Sequence, residues 1–95
     1  MRNTLVKKIA FFQAEGRKLV ASKETRKQYQ GNAYLLQAEK FQEILTASDN
    51  TTLYRRLNAL LGDLKATVFA YERTREMNIH PGVNDAYKAI LQSFR

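Results

Sequence analysis

The chain has no cysteine, one proline and one histidine in 95 residues. Without thiols it can hold no disulfide scaffold, no cysteine-ligated zinc or iron–sulfur cluster and no thiol nucleophile. That absence also fits a reducing compartment. The lone His80 leaves no second imidazole for a metal or for a nucleophile–base pair. No apolar run approaches the roughly 18 residues that a membrane-spanning helix needs. The segment from Leu5 to Phe12 is interrupted by Lys7 and Lys8, so it is no signal-peptide core. A cytoplasmic location is therefore expected. Acidic groups are scarce as well: 9 Asp and Glu face 16 Lys and Arg, for a net charge of +7.

The apolar share is 44%, with five Phe and five Tyr. That is enough apolar surface to offset chain entropy, so a folded domain is expected. A chain this short buries roughly 60–65% of its unfolded surface, which makes one domain over residues 1–95. The charge is uneven. Residues 1–30 hold eight basic groups against Glu15 and Glu24, while residues 31–76 balance six against six. Nearly all the excess therefore lies in the first third, either as a solvated helix face or as a surface for something acidic.

The apolar spacing is helical throughout. Leu5, Ile9, Phe12, Gly16, Leu19 and Val20 form one stripe at 100° per residue. Gly16 lies on that stripe, and the close approach of a second helix would account for it. Ser22 to Gln30 is polar on every face and reads as a helical extension or as a connection. A break at Gly31-Asn32 starts a second helix carrying Tyr34, Ala38, Phe41 and Leu45. Ser48 to Thr52 supplies a turn and a cap. The third helix carries Leu53, Leu57, Leu60, Leu61, Leu64, Val68 and Tyr71 and reaches about Met77, a span of roughly 37 Å. Pro81 suits the first position of a fourth helix, whose stripe is Val83, Tyr87, Ile90, Leu91 and Phe94. Short connections favour antiparallel neighbours, so the expected fold is all-α: an antiparallel up-and-down four-helix bundle with a long third helix.

Catalysis finds little support in these residues, and no enzyme activity, cofactor or metal site is expected. His80 precedes Pro81 and reads as a helix cap. Glu39 and Glu43 share a face, as do Glu72 and Glu76, but each pair lies off its apolar stripe. A two-metal carboxylate bundle needs inward acids and Glu-x-x-His motifs. Glu72 and Glu76 are instead expected to partner Arg73 and Arg75. No glycine-rich phosphate loop occurs.

Two surfaces are candidates for binding. With Leu5 as zero, Lys7, Phe11 and Lys18 fall at about 200°, 240° and 220°, opposite the stripe, at 100° per residue. Phe11 thus sits in a basic face, with Arg17 nearby in sequence. If the helix ran on unbroken, Thr25 and Tyr29 would extend that line. Phe11 either packs inside the bundle or anchors a partner: an acidic protein, an anionic lipid surface or a nucleic-acid backbone and base. The second surface is on the third helix, where Arg55, Gly62, Phe69 and Arg73 oppose the leucine seam. Either the helix buries a second face there, or Phe69 and Arg73 belong to a dimer contact or a groove. A helix-turn-helix reading would send the fourth helix into a DNA groove with only Lys88 and Arg95 against Asp85. The partner-binding residues expected are therefore Lys7, Phe11, Arg17, Lys18, Phe69 and Arg73. Their partner is an acidic or membrane-associated protein complex, with nucleic acid as the competing target.

Two family resemblances bear on this. Leu53-Tyr54-Arg55 spells the signature of the mitochondrial Leu-Tyr-Arg-motif helical proteins, although that family opens its first helix with it and two helices precede it here. A longer stretch carries Leu36 and Ala38 before Lys40, the Ser48-Asp49-Asn50 turn, Leu53 with Arg56-Leu57-Asn58, and Pro81-Gly82 ahead of Tyr87-Lys88. In these features the chain resembles the immunity proteins against pediocin-like bacteriocins. The resemblance implies a cytosolic, basic, non-catalytic four-helix bundle acting at the membrane receptor complex that a bacteriocin targets. The third helix is about two turns longer than in that family, and no specificity-bearing tail follows within these residues.

Overall fold

Helical spacing of apolar residues produces four helices: α1 (Arg2–Val20), α2 (Thr25–Ile44), α3 (Asn50–Thr74) and α4 (Pro81–Ser93). The computed structural model describes residues 1–74 and 78–95. Consecutive helices run antiparallel, and the all-α four-helix bundle expected from the sequence is the fold observed. The C-terminal end expected for the third helix, at Met77, lies outside the described residues.

Local chemistry sets the ends. The hydroxyl of Ser22 accepts from the Glu24 N–H at 3.1 Å, and Gln28 Nε2 donates to the Ser22 carbonyl. A side chain that offers the backbone a local partner competes with helix continuation, so α1 stops at Val20. The polar tract after Ser22 is thus both things the sequence allowed: residues 21–24 connect, and Thr25 onward is helix. Asp49 Oδ1 accepts from the Thr52 N–H at 2.7 Å and caps α3. Pro81 is the first residue of α4, and His80 Nδ1 accepts from the Gly82 N–H at 3.0 Å.

The second helix starts seven residues before the Gly31-Asn32 break expected from sequence. Gly31 is a contact point, not a break. A Cβ there would lie 2.6 Å from the Gly16 carbonyl oxygen and 2.6 Å from the Val20 nitrogen. The backbones of α1 and α2 meet at this pair, which explains the buried Gly16 as well. Gly82 does the same for α4: its Cβ would fall 2.2 Å from the Arg26 carbonyl oxygen.

Helix α2 is the centre of the molecule, packed by α1 on one side and by α4, running parallel to it, on the other. Where α1, α2 and α4 meet, the rings of Phe12, Phe41 and Phe94 lie 5.4–6.3 Å apart, a spacing that adds attraction beyond area burial. Tyr34 stacks on Phe12 at 6.0 Å; burial, helped by the charge of Glu15, pushes its phenol above the ordinary value. Because α4 lies between α2 and α3, its buried set is broader than one stripe. Ala86 and Ile90 are fully enclosed and Asn84 nearly so, while Val83, Tyr87, Leu91 and Phe94 are half-buried. The side chain of Gln37, also buried, donates weakly to the Tyr87 hydroxyl at 3.5 Å. Helix α3 packs chiefly on α4 and only lightly on α2, so its outer face is open along its length.

These contacts predict opposite outcomes for chemically identical substitutions. Gly31→Ala and Gly82→Ala force backbone apart and should each destabilise by roughly 1–3 kcal/mol. Gly62, with nothing within 4 Å of its Cβ position, should stabilise by about 0.5–1 kcal/mol on substitution by Ala. Urea titration of the three variants measures both signs. The cap on α3 predicts an acid sensitivity. Backbone and side-chain hydrogen bonds from Thr52 hold the Asp49 carboxyl below its ordinary range. Its stabilisation is therefore complete above the unfolded value and is lost as pH falls through the folded one. Asp49→Asn, which caps without titrating, should flatten the fall in Tm below about pH 4.

Candidate functional site

The basic residues of α1 divide into two groups. Arg2 donates from Nη1 to the Leu45 carbonyl at 2.9 Å and from Nη2 to the Ala47 carbonyl. It closes the C-terminal end of α2, where carbonyls lack intrahelical partners and the helix dipole is negative. Lys8 donates to the Ser93 carbonyl and lies 5.0 Å from the Phe94 ring centroid, doing the same for α4. Both cations are thus engaged at helix ends within the fold.

Lys7, Arg17 and Lys18 have no such employment. All three are exposed, and among the described residues none forms an ion pair. Phe11, with 56% of its surface exposed, shares the helix face of Lys7 and Lys18. Its ring meets the edge of Phe12, centroid to centroid 6.2 Å. The alternative of a packed Phe11 is excluded, because α2 crosses α1 on the Gly16 side and leaves this face uncovered. Thr25 and Tyr29 do not extend the face, since α1 ends before them. Tyr29 stacks on His80 at 4.0 Å with the rings nearly parallel.

The second candidate surface is real space between helices. An open groove of about 600 Å³ runs between α3 and α4. Its floor is Leu61, Val68, Leu91 and Phe94, all half-buried, with Phe69 standing on the α3 wall. Phe69 is 61% exposed, so α3 does not bury a second face. Arg73 lies over the Phe69 ring at 5.4 Å, within the range of a cation–π contact. Glu72 is not paired with Arg73 as the sequence suggested. It accepts from Lys88 across the groove at 3.2 Å, because Arg73 turns to Phe69. The other expected partners, Arg75 and Glu76, lie outside the described residues.

The six expected binding residues thus occupy two places, Lys7, Phe11, Arg17 and Lys18 on α1, and Phe69 with Arg73 on the groove wall. Phe94 is common to the surroundings of both, through Lys8 and Phe12 on one side and the groove floor on the other. Sequence reasoning missed Leu91, Phe94 and Lys65 as site residues; the first two were assigned to the core stripe, and their half-exposure depends on where α3 sits. His80 is engaged as a cap and a stacking partner. Among the described residues no group of three His, Asp or Glu side chains is placed to hold a metal, and no described helix is long and apolar enough to cross a membrane. No family model, no curated protein and no solved structure matches the chain.

Exposure separates structural from surface aromatics. Phe12→Ala, at a ring 1% exposed, should cost about 3–5 kcal/mol. Phe11→Ala and Phe69→Ala should each stay within about 0.5 kcal/mol of the parent. Equilibrium unfolding followed by far-ultraviolet circular dichroism distinguishes the two classes.

Proposed function

We propose that the protein is a non-catalytic binding protein whose basic first helix docks on an acidic protein partner. One observation carries this reading. Lys7 and Lys18 share a helix face with an exposed phenylalanine, Arg17 lies on the adjoining side, and none of the three forms an ion pair among the described residues, although other α1 cations are tied into the fold. Unpaired cations raise the local concentration of an acidic partner and steer its approach. An aromatic ring on the same face supplies the apolar anchor that charge alone lacks. In the form implied by the likeness to bacteriocin immunity proteins, the partner is a membrane-associated receptor complex met from its cytoplasmic side.

The exposure of Phe11 also favours a second reading. A ring between lysines can stack a base while the ammonium groups hold phosphates, which would make the protein a small nucleic-acid-binding regulator or inhibitor.

Lys7→Glu combined with Lys18→Glu should abolish capture of the acidic partner in a pull-down compared with the parent, with helicity unchanged. Full retention by the double variant would remove the α1 face from the proposal. Fluorescence anisotropy of random duplex and single-stranded oligonucleotides at two salt concentrations decides between the readings. Tight binding whose log–log salt slope grows by roughly 0.7–0.9 per neutralised phosphate would replace the protein partner by nucleic acid.

A further inference from the structure

The α3–α4 groove differs from the hollow between α2 and α3. Between α2 and α3 the lining charges balance, Lys40 and Arg56 against Glu43 and Asp63. Among the described residues that line the α3–α4 groove, four basic side chains, Lys65, Arg73, Lys88 and Arg95, face one acid, Glu72, which pairs with Lys88. Three cations remain around an apolar floor. The adjacent C-terminal end of α4, which would otherwise present negative carbonyls, is covered by Lys8.

The shape is as specific as the charge. The lining residues recur at helical intervals on both walls: positions 61, 65, 68, 69 and 72 on α3, and 88, 91, 92 and 95 along α4 and its C-terminal end. Ridges with that spacing complement the ridges of another helix. From Leu61 to Arg73 the groove wall is roughly 18 Å long at 1.5 Å per residue, room for about three turns.

We propose that this groove seats a short amphipathic helix with acidic flanks, its apolar side on Phe69, Leu91 and Phe94 and its carboxylates on Lys65, Arg73 and Arg95. A second copy of the chain is a poor occupant, since two molecules of charge +7 repel. A nucleic acid would leave the aliphatic floor without a complementary surface. The site is separate from the α1 face and does not depend on the role proposed for it.

The test is selection of displayed random peptides of about 14 residues, roughly 21 Å as a helix, on the intact protein at 0.15 M salt. The selected sequences should carry Leu, Ile or Phe at intervals of three and four with Asp or Glu beside them. Amide shifts of the isotope-labelled protein on adding the best peptide should cluster on α3 and α4. Phe69→Ser with Arg73→Glu should weaken that peptide by at least about tenfold, the loss expected of a central anchor, and Lys65→Glu alone should weaken it measurably. Lys7→Glu with Lys18→Glu should leave the peptide seated in the same place, which separates this site from the α1 reading. Peptides without apolar periodicity, no enrichment, or shifts confined to α1 would each overturn the proposal. So would tighter binding of dodecanoate than of any peptide, which would assign the groove to an acyl chain.

Discussion

The backbones of α1 and α2 touch at Gly16 and Gly31, and the rest of the packing follows from that approach. A Cβ at either position would overlap the opposite helix: at Gly31 it meets the Gly16 carbonyl, and at Gly16 it meets the side chain of Leu35 at 2.7 Å. With α1 this close, Phe12 reaches Phe41 and Tyr34 on α2. Gly82 then brings the start of α4 against the first turns of α2, where Arg26 also forms a two-pronged pair with Asp85 at 2.7 and 3.0 Å. That pair is solvent-exposed and fixes orientation more than it stabilises. Helix α2 is held by α1 on one flank and by α4 on the other, and α4 stands between it and most of α3. The third helix therefore rests on α4 and keeps a long open side.

The same geometry explains why net charge misstates what the surface offers. Arg2 and Lys8 count toward +7 yet are consumed at the carbonyl ends of α2 and α4. Their positive charge answers a helix-end dipole and not an external partner. What remains on α1 is a smaller set, Lys7, Arg17 and Lys18, none of which forms an ion pair among the described residues. A surface patch is defined by the cations left over after the fold has used its own.

Much of the architecture is legible in the residues because amphipathic spacing is a local signal. The stripes of α1 and α3, the Asp49 cap, the Pro81 start and the His80 cap all follow from side chains within a few positions of the backbone they serve. Gly31 could not be read that way. Glycine weakens a helix whether it marks a turn or a contact, and only the partner backbone at Gly16 tells the two apart. The Glu72–Lys88 pair was invisible for the same reason: it joins groups 16 residues apart across a groove, while the nearer Arg73 is drawn to an aromatic face. The exposure of Phe11 and Phe69 is also a tertiary fact. Each lies opposite an apolar stripe, and whether a second helix covers it depends on the order in which the four helices pack.

The order observed, α1–α2–α4–α3, leaves both rings at the surface, and the consequence for binding is energetic. Burying a phenylalanine side chain is worth about 1.5–3 kcal/mol, and neither Phe11 nor Phe69 yields that to the fold of the isolated chain. Each nevertheless has one ring neighbour, Phe11 the edge of Phe12 and Phe69 the guanidinium of Arg73. A partner that covers such a ring gains its burial, set against the ordering that is a main cost of association. The cations beside each ring add the condition that the covering surface be acidic. Among the described residues, exposed aromatic area and unpaired charge occur together on a convex helix face and along a groove. The convex face suits a broad acidic surface, whereas the groove, walled at helical intervals, suits a single helix.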